Sequence, residues 1–314
     1  MKKFEFLYVF LIAILLLYPD LPVLAGEEFE LDLFRPQVGV TGLKTPKKDF
    51  EDVSGDYSSR TLTFDLTVPI GKSTIRPEEG PLLSQVLVKS SLRLWRPDIS
   101  FLNKDRRFYQ GNASVVGLFI KDLKNFFLAA GGASFAEDED TLDEMELRPS
   151  FLGMGVHKME FRVALIYGAA FSYVFGRGTF FPILGLSWKM TPDWTLTTIL
   201  PLFVKVTHPL TPDLRLGFIL GVTGDRTRFD NDGAFPGRAD TLHLRVVKVN
   251  LGTELNYKVT KDLNLFGEAG ILGGRKLTFL DGKTKLLETD IDPAVYIQIG
   301  MRYSWGETIL DQFQ

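Results

Sequence analysis

The chain contains no cysteine, so no disulfide can staple it and no lipid-modified cysteine can follow its N-terminal apolar run. Beyond residue 25 no apolar run approaches the ~20 residues that a helix needs to cross a bilayer, which excludes a transmembrane helix in the mature part. Histidine is scarce, with 3 in the whole chain, and a formal charge of −3 is too small to imply nucleic acid as a partner. What the chain does have is glycine (29), phenylalanine (26) and a marked regularity in how they are placed.

Residues 1–25 read as an export signal. Lys2 and Lys3 form a basic start, Phe6 to Leu17 is almost wholly apolar, and Val23-Leu24-Ala25 offers small side chains for cleavage after Ala25. Residues 26–36 then form a short periplasmic segment, 37–305 the folded unit and 306–314 a C-terminal tail.

Within 37–305, apolar residues recur with period two, the mark of strands with two unlike faces. Leu62, Phe64, Leu66 and Val68 alternate with Thr61, Thr63, Asp65 and Thr67. Met159 to Phe175 gives one unbroken apolar face at odd positions, Trp194 to Val206 repeats the pattern, and Val295 to Trp305 closes the series. The second face is small or charged. Such stretches exceed the 5–6 residues usual in soluble sheets and match the ~9–11 that a tilted strand needs to cross hydrocarbon. The expectation is an all-β chain forming a single antiparallel transmembrane β-barrel of about 12 strands, within a range of about 10–14, in a bacterial outer membrane. Outer-membrane lipids and the barrel-assembly machinery are its expected partners, and nothing in the sequence speaks to oligomeric state.

All four tryptophans, Trp95, Trp188, Trp194 and Trp305, stand at expected strand ends, where an aromatic girdle would place them. Tight turns are expected at 121–124, 176–178, 191–193, 211–213 and 260–262, and longer extracellular loops at 44–59, 97–111, 136–146 and 224–240. Counting back from Trp305 with the C-terminus in the periplasm puts the turns at 260–262 and 211–213 on that side. Further back, strict alternation would place the Thr191 turn outside and the acidic 136–146 segment inside, which points to a misplaced boundary.

The ending Gly300-Met301-Arg302-Tyr303-Ser304-Trp305 resembles the assembly signal of outer-membrane barrels through Gly300, Tyr303 and Trp305. It departs in having Ile299 at the polar position and nine residues after the final aromatic. The stretch Phe181-Pro182-Ile183-Leu184-Gly185-Leu186-Ser187-Trp188, with Thr191-Pro192-Asp193-Trp194 and Leu210-Thr211-Pro212-Asp213-Leu214, is similar to an uncharacterised family of bacterial envelope barrels, domain of unknown function 6268. The resemblance implies a barrel and brings no activity with it.

Parts for catalysis are sparse. His157, His208 and His243 show no pairing with a serine on one strand face, and Asp225 and Asp240 do not make an omptin-like carboxylate pair, so no enzyme is expected. Asp230-Asn231-Asp232-Gly233 is similar to a fragment of a calcium loop without its bidentate Glu, and no cofactor or metal is expected. The acidic run 137–140 reads as a solvated loop tip, or as a weak divalent-cation bridge to lipopolysaccharide. If the apolar face meets lipid, the lumen receives Lys89, Arg93, Arg162, Lys205, Arg215, Arg245 and Arg302, opposed by Asp65, Glu160 and Glu268. That set fits either a narrow pore or passive transporter for small, anionic or amphipathic solutes, or a closed barrel packed with paired charges and working through its loops. A lipid-modifying enzyme is the remote third reading.

Overall fold

A computed structural model describes residues 35–74, 83–102, 105–122, 124–160, 162–173 and 176–306. The expected export signal, nearly all of the segment 26–36 and all but the first residue of the tail lie outside them. Among the described residues fifteen strands follow in order: β1 (Gln37–Asp49), β2 (Asp56–Thr74), β3 (Leu83–Ile99), β4 (Phe108–Ile120), β5 (Asn125–Asp138), β6 (Arg148–Glu160), β7 (Val163–Ser172) and β8 (Thr179–Lys189) come first. Then come β9 (Thr195–Leu200), β10 (Phe203–Thr211), β11 (Leu214–Asp230), β12 (Thr241–Lys258), β13 (Leu263–Asp281), β14 (Thr284–Ile291) and β15 (Ala294–Ser304). Each pairs antiparallel with the next up to β13, and β15 lies between β13 and β1, closing a 14-strand barrel. β14 extends the position of β15 along the far part of β13. Both ends of the described chain lie at one rim, the terminal rim.

The strand number exceeds the expected 12 because two apolar faces that read as single strands fold back on themselves. Glu160 pairs with Val163 across a turn, so the stretch 159–175 spans the β6–β7 hairpin. The stretch 194–206 breaks at Leu200-Pro201, where Phe203 pairs with Ile199. Alternation survives a tight turn, so periodicity alone did not reveal either reversal. With both in place, the Thr191 turn falls at the terminal rim and the 139–147 segment at the far end, which resolves the parity conflict.

Three turns at the terminal rim share one device. Thr191 Oγ1 accepts from the amides of Asp193 and Trp194, Thr211 Oγ1 from Asp213 and Leu214, and Thr260 Oγ1 from Asp262 and Leu263. Each hydroxyl satisfies backbone donors that the reversal leaves without a ladder partner. Thr260→Ala should therefore cost about 1 kcal/mol in urea unfolding of the lipid-reconstituted barrel; no change would mean that water replaces the hydroxyl at no cost.

The lower part of the barrel, next to the terminal rim, carries its large apolar groups outward. On β15, Val295, Ile297, Ile299, Met301 and Tyr303 are exposed, Ile299 by 66%, while Tyr296, Gly300 and Ser304 are buried inside. Leu184 and Phe180 continue the belt on β8. Such a surface is stable only against lipid, so the barrel is a transmembrane one. Trp188, Trp194 and Trp305 sit at the terminal rim, and Trp305 stacks on Tyr303. Trp95 does not join them: it is 3% exposed and stacks on Phe108 inside the far end.

That placement reflects an inversion of phase along the long strands. On β12 the inward residues change from Glu254, Asn250 and Lys248 to Val246, Leu244 and Leu242 towards the far end. The outward ones change from Tyr257, Leu255 and Leu251 to Arg245 and His243. The far part thus resembles a soluble barrel, polar outside and packed within by Tyr57, Trp95, Phe108, Phe229, Leu244 and Phe279. The segments 44–59, 97–111 and 224–240 read as loops because they are polar, yet much of each is strand continuing above the apolar belt.

Strand lengths then set the shape. β11, β12 and β13 have 17, 18 and 19 residues, whereas β9 and β10 have 6 and 9. β10 accompanies β11 only as far as Gly221, and Val222 N donates to Leu202 O (2.9 Å) at the top of β9–β10. Above this level β11 leaves the wall and meets β5 in a parallel bridge, Arg228 with Glu137. The far end is thereby a smaller ring of β1–β5 and β11–β14, with β6–β10 standing beside it as a low wall.

Candidate functional site

In the lower part the inward face is polar on β1–β3 and β10–β15, whereas on β4–β9 it packs two buried apolar clusters, around Leu118 and Ile120 and around Ile166 and Ile183. The lumen charges that strand parity selects stand on the polar side. Asp65, Lys89, Arg93, Lys205, Glu268 and Arg302 have the inward parity. Arg215 keeps the lumen register but lies exposed at the terminal rim. Two expectations fail. Arg162 occupies the turn between β6 and β7 instead of a mid-strand lumen position, since the single strand assumed there is a hairpin. Arg245 points to the outer face of β12, because it lies beyond the phase inversion. Glu160 ends β6, and its side chain is outside the described residues.

Several partners were missed. Arg93 Nη1 donates to Asp225 Oδ1 (2.8 Å) and to Gln110 Oε1 (3.1 Å), and Gln110 Nε2 donates to Thr227 Oγ1 (3.3 Å). This network joins β3, β4 and β11 directly beneath the apolar core and forms its polar floor. Lys205 Nζ pairs with Glu254 Oε1 at 3.1 Å, and the Tyr296 hydroxyl donates to Glu268. Asp225 was legible from the alternation of β11, which places it in register with Gly217 and Gly221, but only pairing across the barrel brings Arg93 to it. Asp225 and Glu254 offset Arg93 and Lys205 pair by pair, so the basic lining inferred from sequence is reduced, while Lys248, also inward on β12, keeps a cationic excess.

Among the described residues, the lumen holds two adjoining cavities that bear on passage. The first, of about 350 Å³, is lined mainly by polar residues, among them Gln37, Asp65, Lys89, Ser91 and Arg302, with Leu66, Phe266 and Met301 beside them. The second, of about 260 Å³, lies on the low-wall side against Ala130, Ser150, Leu152, Ala170, Phe181, Ile183 and Leu202. Asn112 and Ser114 line both, so the two compartments adjoin. Straight above, the axis is filled by rings that are almost completely buried, Phe229 and Phe279 at 0%.

The remaining motifs have structural partners. His157 Nδ1 bonds to Asn125 Oδ1 (2.8 Å), His208 stacks on Trp194 and His243 Nε2 bonds to Glu146 (3.3 Å). The 230–233 motif is a turn: Asp230 Oδ1 accepts from the Asp232 amide and Asn231 Oδ1 from the Phe235 amide. In the acidic run, Glu137 and Asp138 are not solvated but buried and paired, to Arg228 and Arg106, each at 2.7 Å. Only Glu139 and Asp140 are exposed.

The sequence profile of the domain of unknown function DUF6268 matches residues 125–304, from the start of β5 to the end of β15. The chain belongs to this family. No curated protein sequence matches the chain. Solved structures similar to this DUF6268 barrel include an outer-membrane channel from Pseudomonas putida F1, with 10% identity over 91% of this chain and 100% of that one, at a TM-score of 0.43. The TodX monoaromatic hydrocarbon channel deltaS2 mutant is similar at 10% identity over 87% and 90%, TM-score 0.39. The translocator domain of the autotransporter NalP from Neisseria meningitidis is similar at 11% identity over 86% and 89%, TM-score 0.39. The likeness is one of barrel shape.

Proposed function

We propose that this protein is an outer-membrane barrel that passes small amphipathic solutes between its far end and its terminal rim by way of the two adjoining cavities. The terminal rim then faces the periplasm, lipid surrounds the apolar belt, and β15 is the strand presented to the assembly machinery. The observation that carries the reading is the meeting of a mainly polar and a mainly apolar cavity at Asn112 and Ser114, beneath an axis closed by aromatic rings. A solute with one polar end and a small apolar body suits both compartments, because each part is desolvated against matching chemistry. A route along the low wall also avoids opening the core, whose packing contributes to stability.

Uptake of small amphipathic solutes into vesicles carrying the purified barrel tests this. Ala170→Trp places a large ring in the second cavity and should abolish uptake while the barrel still shows heat-modifiable migration on a gel. Unchanged uptake in the folded variant would sink the route. The second reading, a closed barrel acting through its surface, is favoured by the filled far ring; absence of flux through the folded wild-type protein would decide for it.

A further inference from the structure

Outside the lumen, where the outer face of β11–β12 looks onto the top of the low wall, cations gather without enough counter-charge. Arg226 on β11 pairs in register with Arg245 on β12, so two guanidinium groups stand directly opposite each other on one face. Like charges so placed destabilise a sheet. Arg148, the first residue of β6 with its side chain 3% exposed, reaches across from the low wall and donates Nη1 to the Arg226 carbonyl. Its guanidinium lies over the Tyr173 ring at 5.9 Å. His243 lies diagonally from Arg226 on the same face.

The anionic partners are few and loose. Glu146 stands 3.6 Å from Arg148 and 3.3 Å from His243, with its side chain 47% exposed, and Glu288 is 3.9 Å from Arg245. Meanwhile five buried donors or ring nitrogens have no hydrogen-bond partner: Arg148 Nε and Nη2, Arg226 Nε, Arg245 Nε and His243 Nδ1. Buried polar atoms are nearly always satisfied, and several orphaned guanidinium donors in one place call for an acceptor with several oxygens. Burial, and then Arg148, hold the Arg226 pKa below its ordinary value, while burial and then Arg226 do the same to His243.

We propose that Arg148, Arg226 and Arg245, with His243, form a binding site for a phosphate-type oxyanion at the junction of the far ring and the low wall. Planar guanidinium forks match phosphate oxygens in pairs, and an anion between Arg226 and Arg245 turns their repulsion into a shared attraction. Arg148 begins β6 only three residues before the exposed Phe151, which lines up across the low wall with the exposed Phe180, so the phosphate can belong to a lipid headgroup or to a free solute. The proposal goes beyond the passage and does not depend on it, because it is read by binding and not by flux.

Calorimetric titration of the barrel in uncharged detergent with inorganic phosphate tests the free source. Mass spectrometry of lipid retained from vesicles containing a phosphorylated glycolipid tests the other. Phosphate binding that falls at least ~10-fold in Arg226→Gln supports a solute site, and retained phosphorylated lipid lost in the same variant supports a headgroup site. Absence of both phosphate binding and lipid retention in the wild-type protein overturns the proposal, as does binding unaltered in a folded Arg226→Gln variant. Should that variant fail to fold, phenylglyoxal labelling of the wild type remains decisive. Phosphate or the glycolipid should protect Arg148, Arg226 and Arg245 but not the exposed Arg96, and equal labelling with and without them overturns the site.

Discussion

Replacing Glu137 with Ala should unseat the far ring along its weakest seam, at a cost of about 3–5 kcal/mol. β11 and β5 are joined there by a single bridged pair. Glu137 is fully buried, and its Oε2 binds Arg228 Nε at 2.7 Å and accepts from Thr141 Oγ1 at 3.1 Å. Its other oxygen accepts from the Glu146 amide at 3.0 Å. Truncation leaves Arg228, whose side chain is 15% exposed, without its buried counter-charge, and leaves the Glu146 amide without its acceptor. Arg106, which bridges Asp138 and lies 4.9 Å from the centre of the Phe229 ring, ties the seam to the apolar core, so loosening should spread inward. Urea unfolding in lipid vesicles measures the loss, and protease cleavage in 139–147 reports the local opening. A loss below ~1 kcal/mol would show that the neighbouring Asp138–Arg106 pair holds the seam unaided.

The largest functional change is expected from emptying the axis. Phe229 and Phe279 are both fully buried, with ring centroids 5.9 Å apart, and each truncation to Ala should cost about 3–5 kcal/mol. Beneath them lies the polar floor of Arg93, Gln110, Asp225 and Thr227, which water can solvate once the rings above are gone. The double variant Phe229→Ala/Phe279→Ala should therefore show steady ion conductance in planar bilayers well above that of the wild-type protein. If the folded double variant stays silent, the floor and not the aromatic core is the barrier. The Arg93→Gln/Asp225→Asn pair would then be the one to open.

The sequence made the lower barrel legible because lipid and lumen impose opposite polarities on alternate residues. β15, with Val295 to Tyr303 outward and Arg302 inward, is the clearest case. What hid was of three kinds. The reversals between Glu160 and Val163 and at 200–202 hid because apolar alternation resumes immediately after the turn. Residues beyond the phase inversion were misassigned in the same way: Trp95 looked like a girdle residue and Arg245 like a lumen residue, since both were judged by the lipid-facing phase. Partners such as Asp225 and Glu137 became visible only when β11 met β3 and β5 across long stretches of chain, at separations of 132 and 91 residues. Charge balance in the lumen is a property of such pairs, so a one-dimensional tally of arginines and lysines overstated its sign.

The inversion also bears on how these strands find their pairing. In an ordinary membrane strand, a slip of one residue turns the polar set to lipid, and the penalty grows only with the buried length. In β12 a slip is punished twice: Lys248 and Glu254 would enter hydrocarbon while Leu242 and Leu244 would turn to water. The two halves thus proofread each other, and an offset tolerated by one is rejected by the other. A barrel built this way has its strand stagger written in duplicate along a single chain segment.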